Sequence, residues 1–213
     1  MTVESIGKLS DGREIYLSVG NLVTNIREFK EMGVPYPYLA DTQDVVQARL
    51  QGLDLRGTRT SVAPISAKGE RNILVRPSPL MNELMASQAV FSHRNNTYPV
   101  MTRDVYDVAR EMAKAQEGIE PEDRTAIMLS SAKDFNITSS HDEARFLDGK
   151  NAEECFRRFV PSGQSRIYVL PNPNSKKDSF VNYVWFGYPR SDSDFNCGSR
   201  ILDIDGNAFG VSK

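Results

Sequence analysis

The segment 166–213 constrains the fold more than any other part of the chain. It consists of apolar and aromatic runs at 167–170, 180–188, 201–204 and 208–211, separated by three polar connections. Strands joined by short connections pair antiparallel, because a parallel return needs roughly a dozen or more residues. We therefore predict a C-terminal antiparallel sheet of about four strands.

The rest of the chain adds a hairpin and several helices to this sheet. Asp11-Gly12 stands between two apolar runs and is a dipeptide that tight hairpins prefer, so an N-terminal hairpin is expected to extend the sheet. Apolar residues at helical spacing predict amphipathic helices over 22–32, 43–51, 79–92, 102–116, 141–148 and 151–160. Ser140 and Glu143 are expected to form a capping box at the start of the helix 141–148. The expected class is α+β. We expect one domain over 1–213, with a helix-rich middle at 22–160 and an antiparallel β tail at 166–213 that packs against the amphipathic helices.

The composition narrows the function classes. The chain has 213 residues and a formal charge of -2, which predicts no general attraction to polyanions. No run approaches the about 18 apolar residues that span a bilayer, and the first residues lack the apolar region of a secretory signal. We therefore expect a cytoplasmic protein without membrane contact. The sequence lacks four common enzyme motifs: the phosphate-cradling, dinucleotide-binding, nucleophile-elbow and zinc-protease motifs. Their absence disfavours common nucleotide-dependent and hydrolase classes, but it leaves open whether the protein is an enzyme.

A basic stretch and an aromatic strand together suggest a binding function. The segment 56–76 carries five cations and one acid, Glu70, among Gly, Ser and Thr, and we interpret it as a basic loop. The apolar run Ile73-Leu74-Val75 within it predicts a buried strand. In the strand 180–188, Tyr183 and Trp185 share one face. If that face is open it can stack on a ring, whereas a strand covered on both sides is core. The hypothesis is a noncatalytic binding protein that holds a protein, nucleic-acid or anionic partner. The predicted ligand-binding residues are Arg56, Arg59, Lys68, Arg71, Tyr183 and Trp185.

An acidic turn in the tail suggests a different function. Asp192, Asp194, Asn196 and Asp203 match positions 1, 3, 5 and 12 of a calcium loop, although Cys197 stands where such a loop needs glycine. With Asp205, these residues form a candidate site for Ca²⁺ or Mg²⁺ in a cation-binding protein or a metal-dependent hydrolase. A solvated turn explains the same residues. The metal hypothesis predicts that a divalent cation raises the melting temperature.

A third alternative is a cysteine-dependent enzyme. A thiol nucleophile needs a base, and the chain has two cysteines and two histidines. Cys197 lies in a polar turn and His141 at a helix start, which makes them the candidate catalytic pair. Cys155 lies on the apolar side of its helix and is expected in the core.

Overall fold

The computed structural model describes residues 3–53, 58–77, 100–101, 103–169, 179–181, 185–186, 195–196 and 206–212. Its helices agree closely with the sequence pattern. They are α1 (Leu22–Glu31), α2 (Thr42–Leu50), α3 (Arg103–Ala115), α4 (Asp142–Asp148) and α5 (Ala152–Phe159), with 3-10 turns at Pro121–Asp123 and Gly149–Asn151. These confirm the predicted helices to within one or two residues. The other predicted helix, 79–92, lies outside the described residues.

Side-chain caps explain where the first two helices begin. The Asn21 side chain accepts a hydrogen bond from the Thr24 amide at 2.9 Å, and Asp41 accepts one from the Gln43 amide at 3.0 Å. Each cap satisfies a backbone N–H group that has no partner within the helix. None of the described helices is long and apolar enough to cross a membrane.

The described strands form two sheets. They are β1 (Glu4–Lys8), β2 (Glu14–Gly20), β3 (Thr58–Arg59), β4 (Ala63–Ala67), β5 (Ile73–Val75), β6 (Val100–Met101), β7 (Ala126–Met128), β8 (Phe135–Ile137), β9 (Ser165–Tyr168), β10 (Ser179–Val181), β11 (Trp185–Phe186), β12 (Phe195–Asn196) and β13 (Gly206–Val211). The order in the larger sheet is β1-β2-β13-β3-β11-β12-β9-β8, and in the smaller sheet it is β6-β10-β4-β5-β7. The α+β class is thus confirmed.

The N-terminal hairpin extends the sheet as predicted, because β2 pairs antiparallel with the last strand, β13. The arrangement of the tail strands differs from the expectation. β10 belongs to the smaller sheet, β12 pairs parallel with β9, and β13 pairs parallel with β3. The antiparallel argument holds only when consecutive strands are also neighbours in a sheet, as β11 and β12 are. The other consecutive tail strands lie in different sheets or are separated by further strands. The segment 22–160 therefore holds strands as well as helices. A single domain over 1–213 stays a prediction.

Two hydrophobic clusters hold these layers together. In the first, Phe146 and Leu147 of α4 pack with Ile167 and Phe209 of the larger sheet. In the second, Leu22, Ile26 and Phe29 of α1 and Tyr106 of α3 pack with apolar residues of the smaller sheet. Every residue of β4 and β5 is buried, which confirms the prediction that 73–75 is a buried strand. Strands without an exposed face lie between two covering layers.

Candidate binding surface

The basic segment 56–76 is mostly strand, so its interpretation as a loop is wrong. Over its described residues it forms β3, β4 and β5, and a short turn at 68–70 joins the last two. Its polar residues do not mark a solvated loop. Thr58, Thr60, Ser61, Ser66 and Asn72 are all buried. The polar composition of this segment did not indicate a loop, because hydroxyl and amide side chains can be buried when they form hydrogen bonds.

The cations of this segment divide into buried and exposed groups. Arg59 is only 4% exposed, and its Nη1 donates to the Gly20 carbonyl at 2.7 Å. Arg76 packs over the Phe146 ring, with 4.0 Å between its guanidinium carbon and the ring centre. Lys68 and Arg71 are exposed. Arg59 is therefore engaged within the protein, and its role as a ligand contact stays a prediction, while Arg56 lies outside the described residues.

The aromatic strand lies beside the basic segment. Phe180 of β10 pairs with Ser66 of β4, and Trp185 of β11 pairs with Arg59 of β3. The two segments that suggested a binding function thus run antiparallel to each other across both sheets. β11 also pairs with β12, so the backbone of Trp185 lies inside the larger sheet. Tyr183 lies outside the described residues.

Most of the predicted metal site lies outside the described residues. Asp192, Asp194, Asp203 and Asp205 lie outside the described residues, as does Cys197. Asn196 belongs to β12, where its backbone pairs with Trp185 and Tyr168, so it lies in a sheet and not in a turn. In the part of the chain that the structure describes, no group of three or more His, Cys, Asp or Glu residues could hold a metal ion. The cation site remains a prediction.

His141 has a local role at the start of α4. It is exposed, and its Nδ1 accepts a hydrogen bond from the Thr138 amide at 3.0 Å. The expected capping box of Ser140 and Glu143 is wrong, because His141 occupies the N-cap position and Glu143 bonds Ser130. No sequence signal links Glu143 to Ser130, since their pairing depends on how α4 packs.

Cys155 is buried, as expected, on the inner side of α5. Burial raises the pKa of its thiol, and the neighbouring Asp148 carboxylate raises it further. A thiol in this environment is a poor nucleophile, because the thiolate is the reactive form. Cys155 is therefore a core residue and not a catalytic one.

Sequence reasoning missed a charged cleft of about 430 Å³ at the ends of both sheets. The Arg13 guanidinium holds the two Asp44 carboxylate oxygens at 2.7 and 3.3 Å. Arg76 lies 3.3 Å from Asp41, measured from Nε to Oδ2. Burial raises the pKa of Asp41, and the Arg76 charge acts in the opposite direction. Each arginine is thus paired with an aspartate, so these charges neutralise each other and attract a charged ligand only weakly. The two pairs instead connect the elements on either side of the cleft.

The structure was compared with known proteins. No model of a known protein family matches the chain, and no curated protein matches it. A similar solved structure comes from work on how the C-type lectin fold accommodates massive sequence variation in Nanoarchaeota. It covers 94% of this chain and 96% of its own, with a TM-score of 0.59 and 11% sequence identity. At this identity the likeness shows the fold alone, and the chain is similar in fold to the C-type lectin fold.

Proposed function

We propose that this is a noncatalytic binding protein whose partner contacts the strands β3 and β4 together with the tail strands β10 and β11. The observation that carries the proposal is the pairing of Trp185 with Arg59 and of Phe180 with Ser66. It joins the aromatic and basic segments, which are far apart in the chain, into one structural unit. Tyr183 and Trp185 are the proposed aromatic contacts, and Lys68 and Arg71 the charged ones.

The charge distribution favours a protein partner over a nucleic acid. Arg59 and Arg76 are engaged within the protein, so Lys68 and Arg71 are the exposed cations among the described residues of this segment. Nucleic-acid affinity grows with the number of phosphates that cations neutralise, and two cations in a chain of net charge -2 contribute little. Tyr, Trp and Arg, in contrast, are the residues that dominate protein interfaces.

The shared fold supports the same proposal. In the similar structure, the C-type lectin fold accommodates massive sequence variation. A scaffold that keeps its core while its surface changes is well suited to binding, because affinity depends on surface side chains and stability on buried ones. We propose that this chain uses its fold in the same way.

Charge reversal tests the surface without disturbing the core. Lys68 and Arg71 are proposed to face acidic groups of the partner. We expect Lys68→Glu/Arg71→Glu to reduce capture of the partner from a lysate by about tenfold, since the new glutamates repel those groups at the interface rim. The matched control is Lys30→Glu, an exposed cation on α1, which is expected to leave capture unchanged. Melting curves establish that each variant is folded.

A second experiment separates the partner classes. A gel shift with mixed oligonucleotides at low salt is expected to show no binding. A salt-dependent shift that Lys68→Glu/Arg71→Glu abolishes would assign a nucleic-acid partner instead. If the wild type, Lys68→Glu/Arg71→Glu and Lys30→Glu capture the partner equally, the proposed binding surface is wrong.

A further inference from the structure

A second cleft, of about 300 Å³, opens between α3, α4 and the strand β7. The residues that matter for its chemistry are Arg71, Lys114, Ile127, Met128, Ser130 and Glu143. We propose that this cleft binds a small zwitterion of the amino-acid type, with its ammonium group on Glu143 and its carboxylate on Arg71. The site shares Arg71 with the partner-binding surface proposed above, whereas Glu143 belongs to the cleft and not to that surface, so variants of Glu143 distinguish the two proposals.

Glu143 is the acceptor for the ammonium group. Its side chain belongs to a residue that is 1% exposed, and it forms no ion pair with any described residue. Its Oε1 accepts hydrogen bonds from the Ser130 amide at 2.7 Å and from the Ser130 hydroxyl at 2.5 Å. These bonds fix the carboxylate, whereas Oε2 accepts no hydrogen bond from the described part of the chain.

A buried carboxylate without a counter-charge is unfavourable, because burial removes the water that stabilises its charge. A ligand ammonium group supplies both the counter-charge and a hydrogen-bond donor for Oε2. Such charge-assisted bonds are stronger than those between neutral groups. Glu143 lines the cleft, so a ligand cation bound there would lie beside this carboxylate.

Arg71 is the cation that remains for the carboxylate of the ligand. Arg124 is engaged, because it donates to the Ile119 and Glu117 carbonyls and pairs with Asp142. Lys114 pairs with Glu111 at 3.2 Å. The Arg71 guanidinium forms no ion pair with the described residues.

The backbone of Arg71 is also held in place, since its carbonyl accepts a hydrogen bond from the Tyr106 hydroxyl at 2.8 Å. Ile127 and Met128 supply an apolar wall beside the two charged groups. Small-molecule sites combine such apolar walls with a few convergent polar groups, and this volume is at the lower end of their range. A single amino acid with an apolar side chain fits this description.

The test uses leucine and its two half-molecules on the full chain. We expect about 10 mM L-leucine or L-methionine to raise the melting temperature by mass action. 3-Methylbutylamine and 4-methylpentanoate, which each keep one charged group, are expected to bind at least about tenfold more weakly by calorimetry. If the amine binds as tightly as the amino acid, the zwitterion assignment is wrong.

Variants locate the site. Glu143→Gln keeps an acceptor for Ser130 but removes the charge, and we expect it and Arg71→Gln each to weaken binding by about tenfold or more. Lys30→Gln, at an exposed cation on α1 that does not line the cleft, serves as the matched control and is expected to bind like the wild type. Equal binding by Glu143→Gln, or no effect of any free amino acid on the wild type, would overturn the proposal.

Discussion

The guanidinium of Arg59 reaches across one strand to the carbonyl of Gly20, with a hydrogen bond of 2.7 Å. Arg59 belongs to β3 and Gly20 ends β2, and β13 lies between these strands. The bond therefore connects strands that do not pair directly. Arg59 therefore contributes to holding the larger sheet together.

Replacing Arg59 tests this structural role. We expect Arg59→Met to lower the free energy of unfolding by about 2 kcal/mol, because the Gly20 carbonyl loses a charged donor in a buried position. Lys68→Met removes an exposed cation from the same segment and is expected to change it by less than about 0.5 kcal/mol. Urea unfolding measures both values. Equal effects would mean that the Arg59 bond contributes nothing to stability.

Arg76 is expected to be more important still. It pairs with Asp41, packs on the Phe146 ring and donates to the carbonyls of Phe146 and Glu122. Arg76→Met leaves these groups without their donor, and we expect a loss of about 3 kcal/mol in urea unfolding.

Two comparisons make the Arg76 result specific. Arg76→Lys should restore only part of the stability, because an ammonium group cannot reproduce the planar set of guanidinium donors. Arg27→Met, on the exposed side of α1, should be nearly neutral. A lysine variant as stable as the wild type would contradict the role given to the guanidinium.

Gly149 and Gly163 form a matched pair for a backbone test. Both have positive φ, 67° and 70°, but a Cβ on Gly149 would lie 2.9 Å from the Gln43 side chain, whereas nothing lies within 4 Å at Gly163. The Gln43 amide donates to the carbonyls of Glu122 and Phe146, so moving it disrupts a link between two parts of the core.

We therefore expect Gly149→Ala to cost about 2–3 kcal/mol and Gly163→Ala only about 1 kcal/mol, the strain of the backbone alone. Thermal melts of the two variants measure the difference. Similar melting temperatures would show that Gln43 moves aside freely.

Asp148 predicts an unusual dependence of stability on pH. It is fully buried, neither carboxylate oxygen has a well-formed hydrogen-bond partner among the described residues, and burial raises its pKa to about 7. The Cys155 thiol and the Arg49 charge oppose this shift. Below pH 4 the carboxyl is protonated in both the folded and the unfolded protein. As the pH rises to 7, only the unfolded protein ionises, so stability falls.

The shift corresponds to a loss of at most about 4 kcal/mol between pH 4 and pH 8. Asp148→Asn cannot ionise, and its stability relative to the wild type should therefore increase over this range. Urea unfolding at several pH values measures the difference in free energy of unfolding between the variant and the wild type. The contributions of the other titrating groups are the same in both proteins and cancel from this difference. A difference that stays constant with pH would show that Asp148 is ionised throughout.

The sequence determined the helices well because each depends on local signals. Apolar spacing along 22–32 or 102–116, and the capping residues Asn21 and Asp41, act within a few residues of each other. The hairpin at Asp11-Gly12 and the buried strand at 73–75 were predictable for the same reason. The α+β class followed from these elements.

Only the tertiary structure decided which strands are neighbours and which charges are free. Arg59, Lys68, Arg71 and Arg76 look alike in the sequence, yet Arg59 and Arg76 are engaged with groups far along the chain, whereas Lys68 and Arg71 are exposed. Likewise, Glu143 looked like a helix cap until packing placed it beside Ser130. Burial and pairing depend on contacts between distant segments, and a local pattern carries no record of those contacts.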